Sequence, residues 1–523
     1  MILSLILLLV WCFDAGMVFG RQLMMFQQNS YFPSRYWKWY KTSQESTNYG
    51  NLAIIIAFLI LLVYAMPYTL GSLIAICILL VQGIQLARKK YKKPLVYTRR
   101  VQRLLCTMMA ISVVMVVPVA LFCGSIELAC RIAVGVLALS PLVMMAAYYI
   151  LVPVERNINK GFYNDAKKRL ESMPELKIVG VTGSYGKTST KHYLHRILSE
   201  QYDTLMTPGS FNTTMGVIRT IREYLKPYNE VFIVEMGAKN LGDIKEICDL
   251  VAPQYGIVTA VGEQHLESFK TIGNVQHTKF ELIDSLPADG LAVVNNDFPY
   301  GANRTVDNVR CMRYAVTNTE GADYVAKDIR YTPRGTQFTV VSRDGWELPL
   351  TTKLVGECNV SNLIGAVIIA RALGVPDNKI QYAVERIEQV EHRLNMKQTP
   401  GGLTIIDDAY NSNPSGSRMA LEVLGAMTQG KRIVITPGMI ELGDKQAEYN
   451  MQLGRHIAAN ADLAIIVGHY NREAILCGLE VSGMPSDQVY AVDTFTQAQE
   501  LLAQQAQRGD TVLYENDLPD TFK

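Results

Sequence analysis

The sequence predicts an α-helical membrane domain followed by α/β structure built on parallel sheet. Three observations carry this expectation. Five long apolar stretches fall within the first 153 of 523 residues. A glycine-rich loop, Gly183-Ser184-Tyr-Gly186-Lys187-Thr188-Ser189, follows an apolar run and precedes a helix-like one. Beyond it, strand-like and helix-like runs alternate, the pattern of a parallel sheet wrapped by helices.

The apolar stretches lie at 2–19, 49–66, 69–87, 104–122 and 132–152. A helix needs about 20 apolar residues to cross a bilayer, so five spans are expected. Residues 52–87 are too long for one untilted span, and Pro67 with Gly71 offers a turn. The first stretch has no basic residue before it, contains Asp14 and lacks a small-x-small cleavage site, so it reads as a span rather than a signal peptide. Residues 88–103 hold eight Lys/Arg and no acid, and 20–48 hold Arg21, Arg35, Lys38 and Lys41 against Glu45. The positive-inside rule puts both loops in the cytoplasm. Five spans then place the N-terminus outside and residues 153 onward inside, which implies a multi-pass protein of the cytoplasmic (inner) membrane. The expected organisation is a membrane domain at 1–153, an amphipathic connector at 154–175, and soluble structure beyond.

Charge divides the same way. Residues 1–153 carry net +10 and the rest net −8, although the whole chain is only +2. A mildly acidic soluble part argues against nucleic acid as a partner. The nine cysteines form no C-x-x-C pair, so neither a zinc site nor a disulfide framework is expected.

In the glycine-rich loop, backbone N–H groups at a helix N-terminus suit polyphosphate. Lys187 supplies a cation and the Thr188 hydroxyl a ligand for Mg²⁺. The loop is shorter than the general Walker pattern, with Val181 where that pattern has glycine, giving G-x-x-G-K-T. A bound nucleoside triphosphate is expected. Strand-like runs follow at 203–206, 230–235, 255–260 and 290–295. Glu235, His265 and Asn295 fall at strand ends, where parallel sheets carry function. Glu235 is a plausible Mg²⁺ carboxylate opposite Thr188, since Mg²⁺ prefers one or two carboxylates plus phosphate oxygens.

Order and spacing narrow this further. The loop, Phe211-Asn212-Thr-Thr, Val234-Glu235-Met-Gly-Ala238, His265-Leu-Glu267, Lys279-Phe-Glu281 and Asn295-Asn-Asp297 resemble the Mur ligase family. So do Gly356-x-x-Asn359-Val-x-Asn362, His392-Arg393, Asp407-Asp408-Ala-Tyr-Asn411-Ser-Asn413-Pro414 and Pro437-Gly438-Met-x-Glu441-Leu-Gly443. The last two blocks look most like the MurF branch, which joins D-Ala-D-Ala to the UDP-MurNAc-tripeptide. The resemblance spans about 175–515. It implies a P-loop ATPase domain at 176–396, a smaller Rossmann-like α/β domain at 398–523, and a hinge at Pro400-Gly401-Gly402.

The implied chemistry is ATP-driven amide synthesis through an acyl phosphate. The resemblance implies that Gly183, Ser184, Gly186, Lys187, Thr188 and Ser189 cradle the phosphates of ATP. Thr188 and Glu235 hold one Mg²⁺, and His265 binds a second. Lys279 matches a lysine that is carbamylated, its carbamate acting as an anionic bridge at the metal site. Asn295 and Asn362 resemble adenine-side contacts, Arg393 a hinge residue reaching the phosphates, and Asp408 a ribose or adenine contact. The implied partners are a cell-envelope precursor, free or lipid-linked, and an amino acid or dipeptide amine.

Three departures stand out. MurF enzymes begin with a UDP-binding domain, whose place here is taken by apolar stretches. They usually carry Lys-Gly-Ser near the final strand, where this chain has Glu515-Asn-Asp517-Leu-Pro-Asp520. Cys358 stands where the Gly-x-His-Asn pattern has His. A capsule-type polymer ligase resembling poly-γ-glutamate synthases is the alternative enzyme. A transport or regulatory ATPase would leave Lys279, Arg393 and the third region without purpose.

Overall fold

The computed structural model describes all residues except 43–48, 64–65, 90, 92, 333–334, 391–392, 410–411 and 518–523. His392, Asn411, Asp520 and the basic residues Lys90 and Lys92 therefore lie outside the described residues. The chain forms two units, 1–160 and 161–517.

The first unit is helical: α1 (Ile2–Gln28), α2 (Pro33–Thr42), α3 (Tyr49–Leu62), α4 (Tyr68–Arg88), α5 (Arg99–Phe122), α6 (Ile126–Ala138) and α7 (Ser140–Glu171), the last running past the unit's end. Its core is aromatic and aliphatic, with Trp11 donating from Nε1 to the Ala133 carbonyl at 2.7 Å. Leu9, Val114 and Leu121 are each at least 70 % exposed, a surface suited to lipid rather than water.

Five apolar stretches are expected to span, and the described helices that meet the length for a span are fewer. Among the described residues three helices, α1, α4 and α5, are long and apolar enough by length and composition to cross a membrane, or four if the α6–α7 pair counts as one. The stretch 49–66 yields a helix of 14 residues, about 21 Å long and short of a bilayer core of about 30 Å. The stretch 132–152 is bent by 79° between α6 and α7. Pro141 explains the break, because it has no N–H to donate back into α6 and its ring clashes with the carbonyl four residues earlier, so a new helix starts beside it. The turn expected near Pro67 is present, with Pro67 capping α4. The connector at 154–175 is not a separate segment, since α7 continues through Pro153 to Glu171.

The second unit contains two sheets. The first runs through β1 (Lys177–Thr182), β2 (Thr204–Met206), β3 (Val231–Glu235), β4 (Tyr255–Val258), β5 (Leu291–Asn295), β6 (Arg310–Ala315), β7 (Tyr324–Thr332), β8 (Gly335–Ser342) and β9 (Glu347–Thr352). Its order is β2-β3-β1-β4-β5-β6-β7-β8-β9. Pairing is parallel as far as β7 and antiparallel from β7 to β9, a meander that the sequence pattern did not announce. The four expected strands are all present. From β1 the chain crosses to β2 at the edge, returns through β3 and then passes to β4 on the other side. The order therefore reverses beside β1, the switch point where the crevice at strand carboxyl ends opens.

The second sheet comprises β10 (Asn395–Gln398), β11 (Thr404–Asp408), β12 (Arg432–Thr436), β13 (Leu463–Val467), β14 (Val489–Val492) and β15 (Thr511–Glu515), ordered β10-β11-β15-β12-β13-β14. All pairs but β10–β11 are parallel.

Candidate active site

The switch point gathers the phosphate loop after β1, Glu235 at the end of β3, and the loop after β4 that leads to His265. The loop's geometry requires its glycines. Gly183 has φ +149° and a Cβ there would lie 2.2 Å from Thr259 Oγ1. Gly186 has φ +77° and caps the helix α8 (Lys187–Leu198); its Cβ would meet Asn362 Oδ1 at 2.3 Å. Ser184 anchors the loop to the one after β4, its hydroxyl donating to the Gly262 carbonyl at 2.8 Å and accepting from Gly262 N–H at 3.1 Å. Lys187 curls back, donating to the Gly183 carbonyl at 2.7 Å. Desolvation lowers its amine to about 8, Glu235 opposing the shift and Arg393 adding to it. Anionic phosphates would restore its charge. Ser189 is buried on α8.

Glu235 is the hub. It is 1 % exposed, and its Oε1 accepts from Thr188 Oγ1 at 3.1 Å and Asn212 Nδ2 at 3.0 Å. Its Oε2 pairs with Lys191 Nζ at 3.0 Å. Burial pushes the carboxyl up, but Lys191, Lys187 and Asn212 outweigh it and leave Glu235 below its ordinary value. Lys191 had no role in the sequence reading. It is fully buried and also donates to the Thr207 and Gly209 carbonyls at 2.9 and 2.7 Å. Its spacing was a signal: four residues after Lys187, it shares that lysine's helix face.

His265 sits in left-handed geometry at φ +53°, and so does Glu441 at φ +63°. His265 Nδ1 and Glu441 Oε2 share a hydrogen bond of 2.5 Å. Burial lowers the imidazole's pKa, against the pull of Glu441. Around this pair the loop after β12 docks on the loop after β4: Glu267 N–H donates to the Glu441 carbonyl at 3.3 Å, and Lys445 pairs with Glu263 at 2.8 Å. Glu441 lay inside a quoted motif without a role.

Lys279, on the helix Ile272–Asp284, is 1 % exposed with its ammonium end 5.9 Å from the Phe269 ring centre. Burial first, then the charge of Lys187, lowers its pKa well below the ordinary lysine value. A neutral amine is thus favoured at the position where the resemblance expects modification.

Thr188 and Glu235 touch, and a hydroxyl with a carboxylate beside a phosphate loop suits Mg²⁺. A second ion would meet His265 through Nε2, with Glu441 orienting the ring in the manner of a carboxylate behind a metal-bound histidine. Among the described residues no three His, Cys, Asp or Glu side chains form a ready-made cage. An ion here would rely on phosphate oxygens and water.

Asn362 is in place against the loop, its Oδ1 accepting from Thr190 Oγ1 at 3.2 Å. Asn295 ends β5 and spends its amide on the Thr259 carbonyl at 2.8 Å and Ser361 Oγ at 2.9 Å. Asp408 ends β11, accepting from Leu394 N–H at 3.2 Å. Burial raises it to about 6 against the pull of Arg393. Arg393 therefore lies within electrostatic reach of both Lys187 and Asp408. Glu515, in the acidic run that stands where Lys-Gly-Ser is usual, is fully buried and accepts a short hydrogen bond from the Ser412 hydroxyl. Cys358 is half-buried, and desolvation pushes its thiol up to about 12.

A glycine-rich phosphate loop at the switch point of a parallel sheet defines a nucleotide-binding α/β protein. Residues 181–370 match the Mur ligase middle domain, and residues 392–514 the Mur ligase glutamate ligase domain. Together these take in more than half of the chain. The chain belongs to the Mur ligase family, whose members are ATP-dependent amide ligases.

It is 30 % identical over 295 residues to the UDP-N-acetylmuramoyl-tripeptide–D-alanyl-D-alanine ligase of Escherichia coli K12, covering 56 % of this chain and 64 % of that one. With the Bacillus subtilis 168 enzyme of the same name it shares 28 % identity over 284 residues, 54 % of this chain and 60 % of the relative. The chain thus spans less than two thirds of the length of these relatives. A crystal structure of MurF from Acinetobacter baumannii aligns with a TM-score of 0.61 and 27 % identity, over 68 % of this chain and 77 % of that one. The Thermotoga maritima MurF ligase in complex with ADP aligns with a TM-score of 0.61 and 25 % identity, over 68 % and 80 %.

Proposed function

We propose that the protein is a membrane-bound, MurF-type ligase that uses ATP to join an amine to the carboxylate of a cell-envelope precursor, possessing its catalytic domains on the cytoplasmic face. The observation that carries this is the meeting of the phosphate loop, Glu235 and buried Lys279 with a His265–Glu441 contact supplied by the second sheet. A simple ATPase needs the first two and has no use for the rest. The three apolar helices, with their exposed apolar faces, support a seat in the inner membrane. The nine-stranded region at 176–396 acts as the ATP-binding domain, and 398–523 as a Rossmann-like domain that caps the nucleotide.

In the proposed reaction a substrate carboxylate oxygen attacks the γ-phosphorus of ATP, and the bond to the β-phosphate oxygen breaks, releasing ADP. The amine then attacks the acyl carbon, inorganic phosphate leaves, and the amine proton is lost. Lys187 and the loop N–H groups stabilise charge on the transferred phosphoryl group. Arg393 brings a second cation from the hinge. Thr188 and Glu235 would hold Mg²⁺, which supplies further charge neutralisation when bound. Closure of the Glu441 loop onto the His265 loop keeps water from the mixed anhydride. For Lys279, a neutral Nζ attacks the carbon of CO₂ and loses a proton, turning a cation into an anion beside the metal site.

The acyl donor and amine are proposed by analogy with the relatives as a muramoyl-peptide precursor, free or lipid-linked, and a dipeptide. Incubating detergent-solubilised protein with ATP, UDP-N-acetylmuramoyl-tripeptide and D-alanyl-D-alanine should give ADP, phosphate and a condensed product lighter than its parts by one water. ATP turnover without any condensed product from a panel of envelope precursors and dipeptides would overturn the proposal.

A further inference from the structure

In the first unit, the start of α5 and the middle of α7 line a partly open cavity of about 130 Å³, many times the roughly 10–15 Å³ of such space that one water needs. Helical spacing gives it two characters. On α5, Arg100 and Leu104 are one turn apart on the same face. On α7, Tyr148 and Leu151 precede Arg156 and Asn159. The ion pair of Arg103 with Glu155, at 2.6 Å, fixes the polar parts of the two helices beside each other. One end of the cavity is therefore cationic and the other apolar.

The charges at the polar end do not cancel. Glu155 is the one acid in the lining, and it is already spent on Arg103. Arg100 lies over the Tyr31 ring at 4.0 Å, and its Nε is buried without a hydrogen-bond partner among the described residues. Leaving such a donor unmet costs about 1–3 kcal/mol. The first turn of α5 worsens the imbalance, since it holds Arg99 and Arg100 and no acid where the helix dipole is itself positive. An anion would relieve all of these at once, and guanidinium groups match phosphate geometry. The cavity also lies beside the basic loop that the positive-inside rule puts at the cytoplasmic interface, the depth of lipid headgroups.

We propose that this cavity binds the phosphate headgroup of an anionic membrane lipid, with Arg100 and Arg156 on the phosphate and Leu104, Tyr148 and Leu151 against the start of the acyl chain. The site is independent of the ligase reading, because binding there needs no ATP and no turnover.

Calorimetric titration of the full chain in neutral-detergent micelles tests this, with short-chain phosphatidic acid, the matching phosphatidylcholine and inorganic phosphate as separate probes. Phosphatidic acid should saturate near one equivalent, and phosphatidylcholine should not saturate. Inorganic phosphate should bind at least tenfold more weakly. The double variant Arg100→Gln with Arg156→Gln should lose about tenfold or more in affinity for phosphatidic acid, as expected for losing charge-assisted contacts. Arg156 is exposed, so Arg156→Gln alone keeps the packing and should still show a severalfold loss. Equal binding of phosphatidylcholine, unchanged affinity in Arg156→Gln, or inorganic phosphate saturating as tightly as the lipid would each overturn the proposal.

Discussion

The carboxyl ends of the two sheets of the second unit collect opposite charges. At the first, Lys187 and Lys191 flank one carboxylate, Glu235, and the buried Lys279 lies within electrostatic reach of Lys187. At the second, Asp408 and Glu515 occupy paired positions on β11 and β15, with Arg393 nearby. Desolvation acts on both sets, lowering Lys187 and Lys279 and raising Asp408 and Glu515. Surplus buried cations suit a triphosphate. Surplus buried carboxyls do not, and they suit a capping role that meets the nucleotide's uncharged parts or an amine.

The contrast can be broken one group at a time. Lys187→Ala should have the largest effect, lowering ATP turnover about a thousandfold with the fold intact, as read by ADP release and circular dichroism. Unchanged ADP release would remove the lysine from the phosphate site. Lys191→Met takes away the fully buried partner of Glu235 and should destabilise the protein by about 3 kcal/mol in urea titration. A loss within error would mean that Lys187 alone keeps Glu235 ionised.

Lys279→Ala should lose about a hundredfold in ligation and recover partly with added acetate, while the wild type should slow in CO₂-depleted buffer. Full activity in the variant would make this an ordinary buried lysine. Glu441→Ala should cost about tenfold in kcat/KM, since it frees the His265 ring without touching the phosphate loop. An equal loss in Lys187→Ala and in Lys187→Ala combined with Glu441→Ala would fit one shared site, whereas independent losses would separate the two.

The smallest effect is a slope. Asp408 has a folded pKa near 6, above its ordinary 3.8, so the native state holds more protons than the unfolded one between these values. Its stabilising contribution is complete below about pH 4 and is lost as pH rises through 6. Asp408→Asn should flatten the fall in stability over that window, measured by thermal melts at closely spaced pH. An unchanged slope would assign the effect to another group.

What could be read from the sequence was what is local. The loop from Gly183 to Ser189 is contiguous, and its strand and helix neighbours follow from apolar runs on either side. Glu235 and His265 were found because each follows an apolar run, although only Glu235 ends a strand and His265 lies in the loop beyond β4. The contact between His265 and Glu441 joins residues 176 positions apart and could be recognised only once two loops had docked. Glu515 stood out only as a departure from Lys-Gly-Ser, because one sequence does not say which way the end of β15 faces; the fold buries it. In the helical unit, hydropathy located the apolar stretches but could not show that Pro141 would bend the last one or that 49–66 would end after 14 helical residues. Composition reports where lipid is tolerated, whereas backbone geometry decides what is straight.

The acyl phosphate is the centre of the account, and oxygen transfer tests it most directly. A muramoyl-tripeptide carboxylate labelled with ¹⁸O should be incubated with the protein, ATP and D-alanyl-D-alanine, and the released phosphate analysed by mass spectrometry. If the carboxylate attacks the γ-phosphate, one labelled oxygen appears in inorganic phosphate for each amide formed. Amide formation with unlabelled phosphate, or labelled donor left intact while phosphate accumulates, would contradict the account.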